Sequence, residues 1–302
     1  MLTIISFMAN LTMPFRGTVI LYSSYLVQVA GPLNIPFVTF ILVATVVMAA
    51  IFSITGLISK ILLRVDVSKF MLPEEEIKRI SAIKMSTKDK VGISILIVYI
   101  LALTLPDLLP QLPGMTFLKQ LGIPGMSIAA IIIAALLKFD GKAMINISST
   151  LHDVDWGLMF LVAVTFPLTA LMRHADAGIM PTAFAYVQPI VEMMGVTAFI
   201  LVITLILGLL TQVTHNIALA AMFVPFVCPL VASMGGDMVA SWFMLFIMLN
   251  CAYMTPAASM PAALIFGHEL SNTKYCYLMG ITLYFVAAIV LSIGYPIIAT
   301  II

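Results

Sequence analysis

Long apolar runs, separated by short polar stretches, make up most of the chain. Continuous runs extend over residues 35–63, 91–105 and 275–302. A helix of about 20 apolar residues crosses the hydrocarbon core of a bilayer, and a longer run can cross with a tilt. The pattern therefore predicts an all-α integral membrane protein with several transmembrane helices.

A further apolar run, which begins at Val196, is interrupted near its middle by the start of the stretch TQVTHNIALAAMFVPFVCPL, residues 211–230. The interrupting polar residues are Thr211, Gln212, Thr214, His215 and Asn216. A polar group left unsatisfied in hydrocarbon costs several kcal/mol, so these side chains must face protein, water or a ligand. We predict a re-entrant hairpin over about residues 196–233, with its tip at 214–217, because the polar segments before and after it would then lie on the same side of the membrane.

A second interruption, YMTPAASMPAALIFG, places two prolines and several small residues inside the crossing predicted over about 238–267. The opening stretch up to residue 31 is also apolar but broken, and it carries Ser23 and Ser24. Broken membrane segments of this kind are typical of transporters, in which helix ends and unwound carbonyls meet an ion and a substrate near the midplane. The sequence therefore predicts a binding site at membrane depth.

Composition and charge support this interpretation. The 302 residues are 63% hydrophobic and only 9% charged, whereas soluble domains have about 25% charged residues. Eight of the fourteen Lys and Arg residues lie within 60–90, which the positive-inside rule assigns to the cytoplasm. We predict a multi-pass protein of the cell inner (plasma) membrane that contacts lipid and no nucleic acid, with a surface helix in this linker after Pro73.

The sequence does not favour an enzyme. His268 and Glu269 are not followed by the second histidine of an H-E-x-x-H metal motif. The three cysteines lie in or beside apolar runs without metal-binding spacing, which indicates small buried side chains. We therefore expect no catalytic residues and no cofactor other than a bound ion.

Several stretches carry a family resemblance. The segments DVDWGLMFLVAVTFPLTALMRHADAG, LTQVTHNIALAAMFVPF and YMTPAASMPAALIFGHEL resemble the C-terminal half of the divalent anion/sodium symporter family, within the ion transporter superfamily. The connector KMSTKDKVGISILIVYILAL resembles the linker and helix that begin this half. The resemblance covers about residues 75–302 well and residues 1–31 more loosely.

The resemblance implies a specific fold and activity. Members of the family have two inverted repeats, each with a re-entrant hairpin and a broken helix. They move di- or tricarboxylates, or sulfate, with sodium, or exchange dicarboxylates, usually as homodimers. The chain would then contain a remnant of the broken helix of the first repeat (1–31), a transmembrane helix (32–63), a cytoplasmic linker (64–90) and the second repeat (91–302), which ends in a last helix over 275–302.

The resemblance also implies a ligand site for a substrate and a sodium ion. The implied substrate-binding residues are Thr214, His215, Asn216, Ile217, Ser259, Pro261, Ser23 and Ser24. A sodium ion would be held by Asn216, Ala257, Ala258 and Ser259. His215, Ile217, Met260 and Ala262 depart from the family pattern, which removes a hydroxyl and an amide from the sodium site. His215 adds a titratable group, either as a proton-coupling residue or as a neutral histidine that is hydrogen-bonded within the tip.

The position in the family pattern at which this chain begins leaves two alternatives for its function. The chain begins where the first repeat of the family should be ending, and no upstream copy of TQVTHNI occurs. One expectation is a transporter that acts as a homodimer or with a partner chain supplying the first repeat. The alternative is a non-transporting half-module, or a split-gene subunit that needs such a partner.

Overall fold

The computed structural model describes residues 12, 17–31, 36–62, 85–139, 141–152, 154, 156–268 and 271–302. These residues are almost entirely helical. The helices are α1 (Gly17–Ala30), α2 (Phe37–Leu62), α3 (Thr87–Leu108), α4 (Met115–Leu136), α5 (Ile147–His152), α6 (Trp156–Arg173), α7 (Ile179–Glu192), α8 (Val196–Leu210), α9 (Asn216–Ser233), α10 (Met238–Leu249), α11 (Met260–Gly267) and α12 (Thr273–Ile301). The surface helix predicted after Pro73 lies outside the described residues.

Five of the described helices are long and apolar enough to cross a membrane, namely α2, α3, α4, α9 and α12. Helices α1, α8 and α10 are shorter but equally apolar in character. The prediction of an all-α membrane protein is therefore confirmed. The described β-structure is a single antiparallel pair, β1 (Lys138–Phe139) with β2 (Lys142–Ala143).

The described residues fall into two compact units, one within 36–38 and 65–156 and the other within 1–35, 39–64 and 157–302. In the first unit, α3 packs against α4. Ser86 and Asp89 form a capping box at the start of α3. Tyr99 and Ser127 share a 2.8 Å hydrogen bond, so a polar contact joins the two helices within their apolar surface.

The second unit is built around α10. Every side chain from Ala240 to Leu249 is buried, because this helix is apolar on all of its faces and no face needs to meet water. Trp242 stacks on Phe246, and Phe40 of α2 packs against both rings. Helices α8, α9 and α12 pack around α10, and α1 lies along α9. The helix at the centre thus ends in the predicted site.

Candidate functional site

Helices α8 and α9 form a hairpin joined by the turn 211–215. At its base, a Cβ atom on Gly236 would lie 3.0 Å from Val196 and 2.5 Å from Val231. The first residue of α8 and the last turns of α9 are therefore neighbours, and the two helices run antiparallel. The base is held by Tyr295 of α12, whose hydroxyl accepts a 2.7 Å hydrogen bond from the Asp237 N–H.

Helix α9 begins at Asn216 because His215 acts as its N-cap. His215 has extended backbone geometry, and its Nδ1 accepts a 3.3 Å hydrogen bond from the Ile217 N–H. Among the described residues, the Asn216 and Ala218 N–H groups donate to no partner. A helix N-terminus carries partial positive charge, so these two donors are suited to an anion.

The second part of the site is the break between α10 and α11, residues 250–259. The last carbonyls of a helix need partners other than its own N–H groups. Here the Asn250 side chain donates to the Phe246 carbonyl at 2.7 Å and the Thr211 hydroxyl reaches the Leu249 carbonyl. Within the break, Ser259 donates to the Ala252 carbonyl at 2.7 Å and Gln212 donates to the Cys251 carbonyl at 3.2 Å. Ser259 also caps α11 by accepting from the Ala262 N–H, and Pro261 follows in the first helical turn.

The hairpin turn packs directly into this break. Thr211 and Gln212 are both buried, and their side chains reach the carbonyls at the end of α10. In return, the Met254 N–H donates to the Gln212 side-chain oxygen at 2.9 Å, and the Thr255 hydroxyl donates to the Gln212 carbonyl at 3.1 Å. The turn and the break therefore form one hydrogen-bonded element made from two distant parts of the chain.

Thr211 also contacts the side chain of Asn216. Its Oγ1 lies 2.7 Å from the Asn216 side-chain oxygen and 2.8 Å from the Leu249 carbonyl, but a hydroxyl has only one hydrogen to donate. With the Asn216 amide turned by 180°, its nitrogen would donate to Thr211 and its oxygen would face away. The two orientations present either a donor or an acceptor to a ligand, so Asn216 is suited to either charge.

The break supplies acceptors beside these donors. Ala257 is exposed and Ala258 half-buried, and no hydrogen bond is donated to either carbonyl by the residues that the structure describes. Residues 211–217 and 250–262 contain no Lys, Arg, Asp or Glu. The turn and the break thus combine neutral donors with neutral oxygen acceptors, the groups that a small anion and an alkali cation require.

The site lies about a quarter of the way along a long helix. A Cβ atom on Gly280 of α12 would lie 2.7 Å from the Met254 Cα, so the break contacts this helix directly. Gly280 is seven positions after the first residue of α12, which is about 10 Å at 1.5 Å per residue. The remainder of this 29-residue helix extends past the site in the other direction. The polar turn is therefore not at the end of the helical bundle.

Most of the predicted site residues lie on the turn or in and just after the break that packs against it. Thr214 and His215 are exposed on the turn, Asn216 is half-buried beside them, and Ser259 and Pro261 lie in and just after the break. Ile217 is only 4% exposed, so its side chain packs inward and offers nothing polar.

Ser23 and Ser24 lie on α1, where their hydroxyls donate to the carbonyls of Ile20 and Leu21 at 2.8 and 2.6 Å. Their neighbour Tyr22 packs on Phe246, one helical turn before the end of α10. Among the described residues, no hydrogen bond joins either serine to the turn or the break.

Thr211 and Gln212 are absent from the predicted site. They were visible in the sequence as the first two polar residues after an apolar helix. Their burial and their partners near residue 250 were not predicted.

Comparison with known proteins shows a partial similarity to a transporter. No family model matches the chain. Part of the chain is similar to a Haemophilus influenzae protein described as an uncharacterized transporter, with 27% identity over 173 residues. The aligned stretch covers 56% of this chain and 36% of that protein, so the chain spans about a third of the length of this relative.

Proposed function

We propose that the protein is a secondary active transporter of small organic di- or tricarboxylates, or related divalent anions, coupled to sodium or protons. The observation that supports this most directly is the packing of the hairpin turn into the break between α10 and α11. It brings the available N–H groups of Asn216 and Ala218 to the same element as the available carbonyls of Ala257 and Ala258.

The neutrality of the site gives a reason for coupling. Moving an anion into a low-dielectric environment without a counter-charge is costly, and two opposite charges that are close together attract far more strongly there than in water. Because residues 211–217 and 250–262 carry no permanent charge, a bound cation would supply the charge that stabilises the anion. Occupation by both ions together is then favoured over occupation by either one.

The resemblance to the divalent anion/sodium symporters and the similarity to a protein described as a transporter support the same proposal. They also support a location in the plasma membrane and assembly either as a homodimer or with a partner chain that supplies the first repeat. In this arrangement Asn216, Ala257, Ala258 and Ser259 would contact sodium, and Thr214, His215 and the N-terminus of α9 would contact the anion.

Uptake into proteoliposomes tests the proposal. The full chain would be reconstituted alone and with the product of any adjacent gene, and radiolabelled succinate, citrate or sulfate would be offered under an inward sodium gradient or an inward proton gradient. We expect concentrative uptake of one anion under one gradient, and loss of that uptake when an ionophore collapses the gradient. Absence of uptake of all three anions in every arrangement would contradict transport of this class.

A further inference from the structure

We infer that Gln212 is a positioning residue that fixes the hairpin turn in the break of the broken helix, and so sets the spacing between the donors and the acceptors of the ligand site. We call the hydrogen bonds that join Gln212 to Gly208, Cys251, Met254 and Thr255 the Gln212 clamp. The inference rests on the proposed function for its role in ligand binding. The clamp itself is defined by contacts that do not depend on any ligand.

Gln212 is 4% exposed, and both ends of its amide are occupied. The nitrogen donates to the Gly208 carbonyl of α8 at 2.7 Å and to the Cys251 carbonyl at 3.2 Å. The oxygen accepts from the Met254 N–H at 2.9 Å. One side chain therefore connects the end of α8 to two points in the break, and the Thr255 hydroxyl adds a fourth bond to the Gln212 carbonyl.

The chemistry of these partners requires a glutamine. Two carbonyls need two N–H donors and one N–H needs an oxygen acceptor, a set that a primary amide provides in full. An ionised glutamate would place a bare oxygen against the carbonyls of Gly208 and Cys251, and a leucine would leave all three backbone groups without partners in a buried position. An asparagine is one methylene shorter and could not reach both segments.

The clamp matters because the ligand groups lie on separate segments. The N–H donors belong to the first turn of α9, and the carbonyls of Ala257 and Ala258 belong to the break. Without the Gln212 side-chain contacts, the break would be held to the turn by the Thr255 hydroxyl, and Thr211 would still bond to Leu249 at the end of α10. We therefore expect loss of the Gln212 side-chain contacts to weaken anion and cation binding together and to open the segment around Cys251.

The native cysteines provide a direct readout. Cys251 is 1% exposed next to the clamp, Cys228 is fully buried in α9, and Cys276 is half-buried at the start of α12. Full-length protein in membranes would be treated with N-ethylmaleimide, and the labelling rate of each cysteine would be followed by mass spectrometry. In the wild type we expect Cys276 to react while the other two are protected.

In Gln212→Leu we expect Cys251 to react at least about tenfold faster, because lost buried hydrogen bonds raise the population of locally open states. Cys228 should stay protected. Gln188→Leu, at an exposed glutamine of α7, is the matched control and should label like the wild type. Unchanged labelling of Cys251 in Gln212→Leu would overturn the clamp.

A second variant covers the case in which Gln212→Leu unfolds and exposes both buried cysteines. Thr255→Val removes one bond to the clamp and leaves the Gln212 side chain in place. It should accelerate Cys251 labelling by a factor of a few, with Cys228 protected. The clamp is overturned if Thr255→Val labels like the wild type.

Uptake then tests the positioning role. Gln212→Leu should raise the KM for the anion and the apparent KM for the coupling ion by at least about tenfold, with a much smaller change in kcat and none in Gln188→Leu. Because labelling needs no transport, the two proposals can fail separately. A wild-type chain that takes up no anion contradicts the proposed function, whereas wild-type KM values in an actively transporting Gln212→Leu variant overturn the positioning role.

Discussion

The two ends of the hairpin differ in how their polar groups are satisfied. At the base, the Asp237 carboxylate accepts from the Ala240 N–H at 2.7 Å, and the Tyr295 hydroxyl both accepts from the Asp237 N–H and donates to its carbonyl. At the turn, Thr214 and His215 are exposed and the first N–H of α9 has no partner among the described residues. Around Asp237 the base completes its own hydrogen bonds, whereas the turn leaves N–H groups and an amide side chain beside the carbonyls of the break.

Cavity size alone points to the other end of the hairpin. An open groove of about 560 Å³ lies at the base, between the start of α8 and the second half of α12. Its lining is mainly apolar, and the hydroxyl of Ser292 is already bonded to the Ala288 carbonyl. Among the described residues, the first N–H groups of α8 are unpaired in this lining as well, but the facing residues of α12 add only Ser292 as a polar side chain. A polar turn that packs into a polar break is therefore our candidate for an ion site, in preference to this mainly apolar groove.

The strongest test of this difference is Asn216→Ala. Asn216 contributes its amide and the first N–H of α9, and the substitution removes a group that can contact either ion. We expect uptake to fall by at least about tenfold, the usual consequence of losing one or two hydrogen bonds to a charged ligand. Thr197→Ala, an exposed position at the base, should transport normally. Normal uptake by Asn216→Ala at equal abundance would show that the turn is not at the substrate.

A steric test at α12 should have the next largest effect. A Cβ atom at Gly280 would collide with the Tyr253 carbonyl and lie 2.7 Å from the Met254 Cα, so Gly280→Ala should push the break away from the helix. Forced overpacking typically costs about 1–3 kcal/mol. We expect reduced uptake and a Tm in detergent that is lower by several degrees.

The same helix provides the control for this test. At Gly294 the nearest atom to an added Cβ would be the Ile298 Cδ1 at 3.8 Å, an ordinary contact. Gly294→Ala should therefore match the wild type in both uptake and Tm. If the two substitutions have equal effects, the response of α12 to an added methyl group does not depend on contact with the break.

His215→Gln should change the pH profile more than the maximum rate. The Nδ1 atom of His215 accepts the Ile217 N–H, so this nitrogen is unprotonated in the structure. Protonation would place a hydrogen there, break the cap and add positive charge at the turn, which favours an anion. If the transport cycle protonates His215, wild-type uptake should depend on pH and the variant should show a flatter profile.

An exposed histidine outside the turn controls for general effects of pH. His174, which lies 3.5 Å from Asp176, is far from the turn in sequence and should leave the profile unchanged when replaced by glutamine. If His215→Gln keeps the wild-type profile, His215 is a structural N-cap and the coupling ion is not a proton at this residue.

The sequence alone could predict the fold class and the two polar interruptions that meet in the candidate site, because both depend on apolar length and on polar groups inside it. Helix α8 coincides with the apolar run from Val196 to Leu210. The break was predicted around Pro256 and Pro261, but α10 already ends at Leu249. The earlier end reflects a tertiary contact, since Thr211 and Gln212 supply partners for the Leu249 and Cys251 carbonyls.

The rest of the site depends on pairing between distant segments, which local patterns do not reveal. The Gln212 contact with Met254 joins residues 42 positions apart. In the sequence, Gln212 is one of five polar residues of similar appearance, and only its burial distinguishes it from exposed Thr214. A polar residue that fixes the backbone and one that meets the ligand therefore look alike until the packing is known.

The smallest expected effect belongs to the base. Tyr295→Phe removes a hydroxyl that accepts from the Asp237 N–H at 2.7 Å and donates to the Asp237 carbonyl at 3.3 Å, and leaves the ring in place. The loss should cost about 1 kcal/mol of stability and lower the Tm in detergent slightly. Because the substitution removes contacts only at the base of the hairpin, the KM for the anion should be unchanged. A rise in KM comparable to that of a turn variant would show instead that the base transmits its geometry along α8 and α9, and the two ends could no longer be regarded as independent.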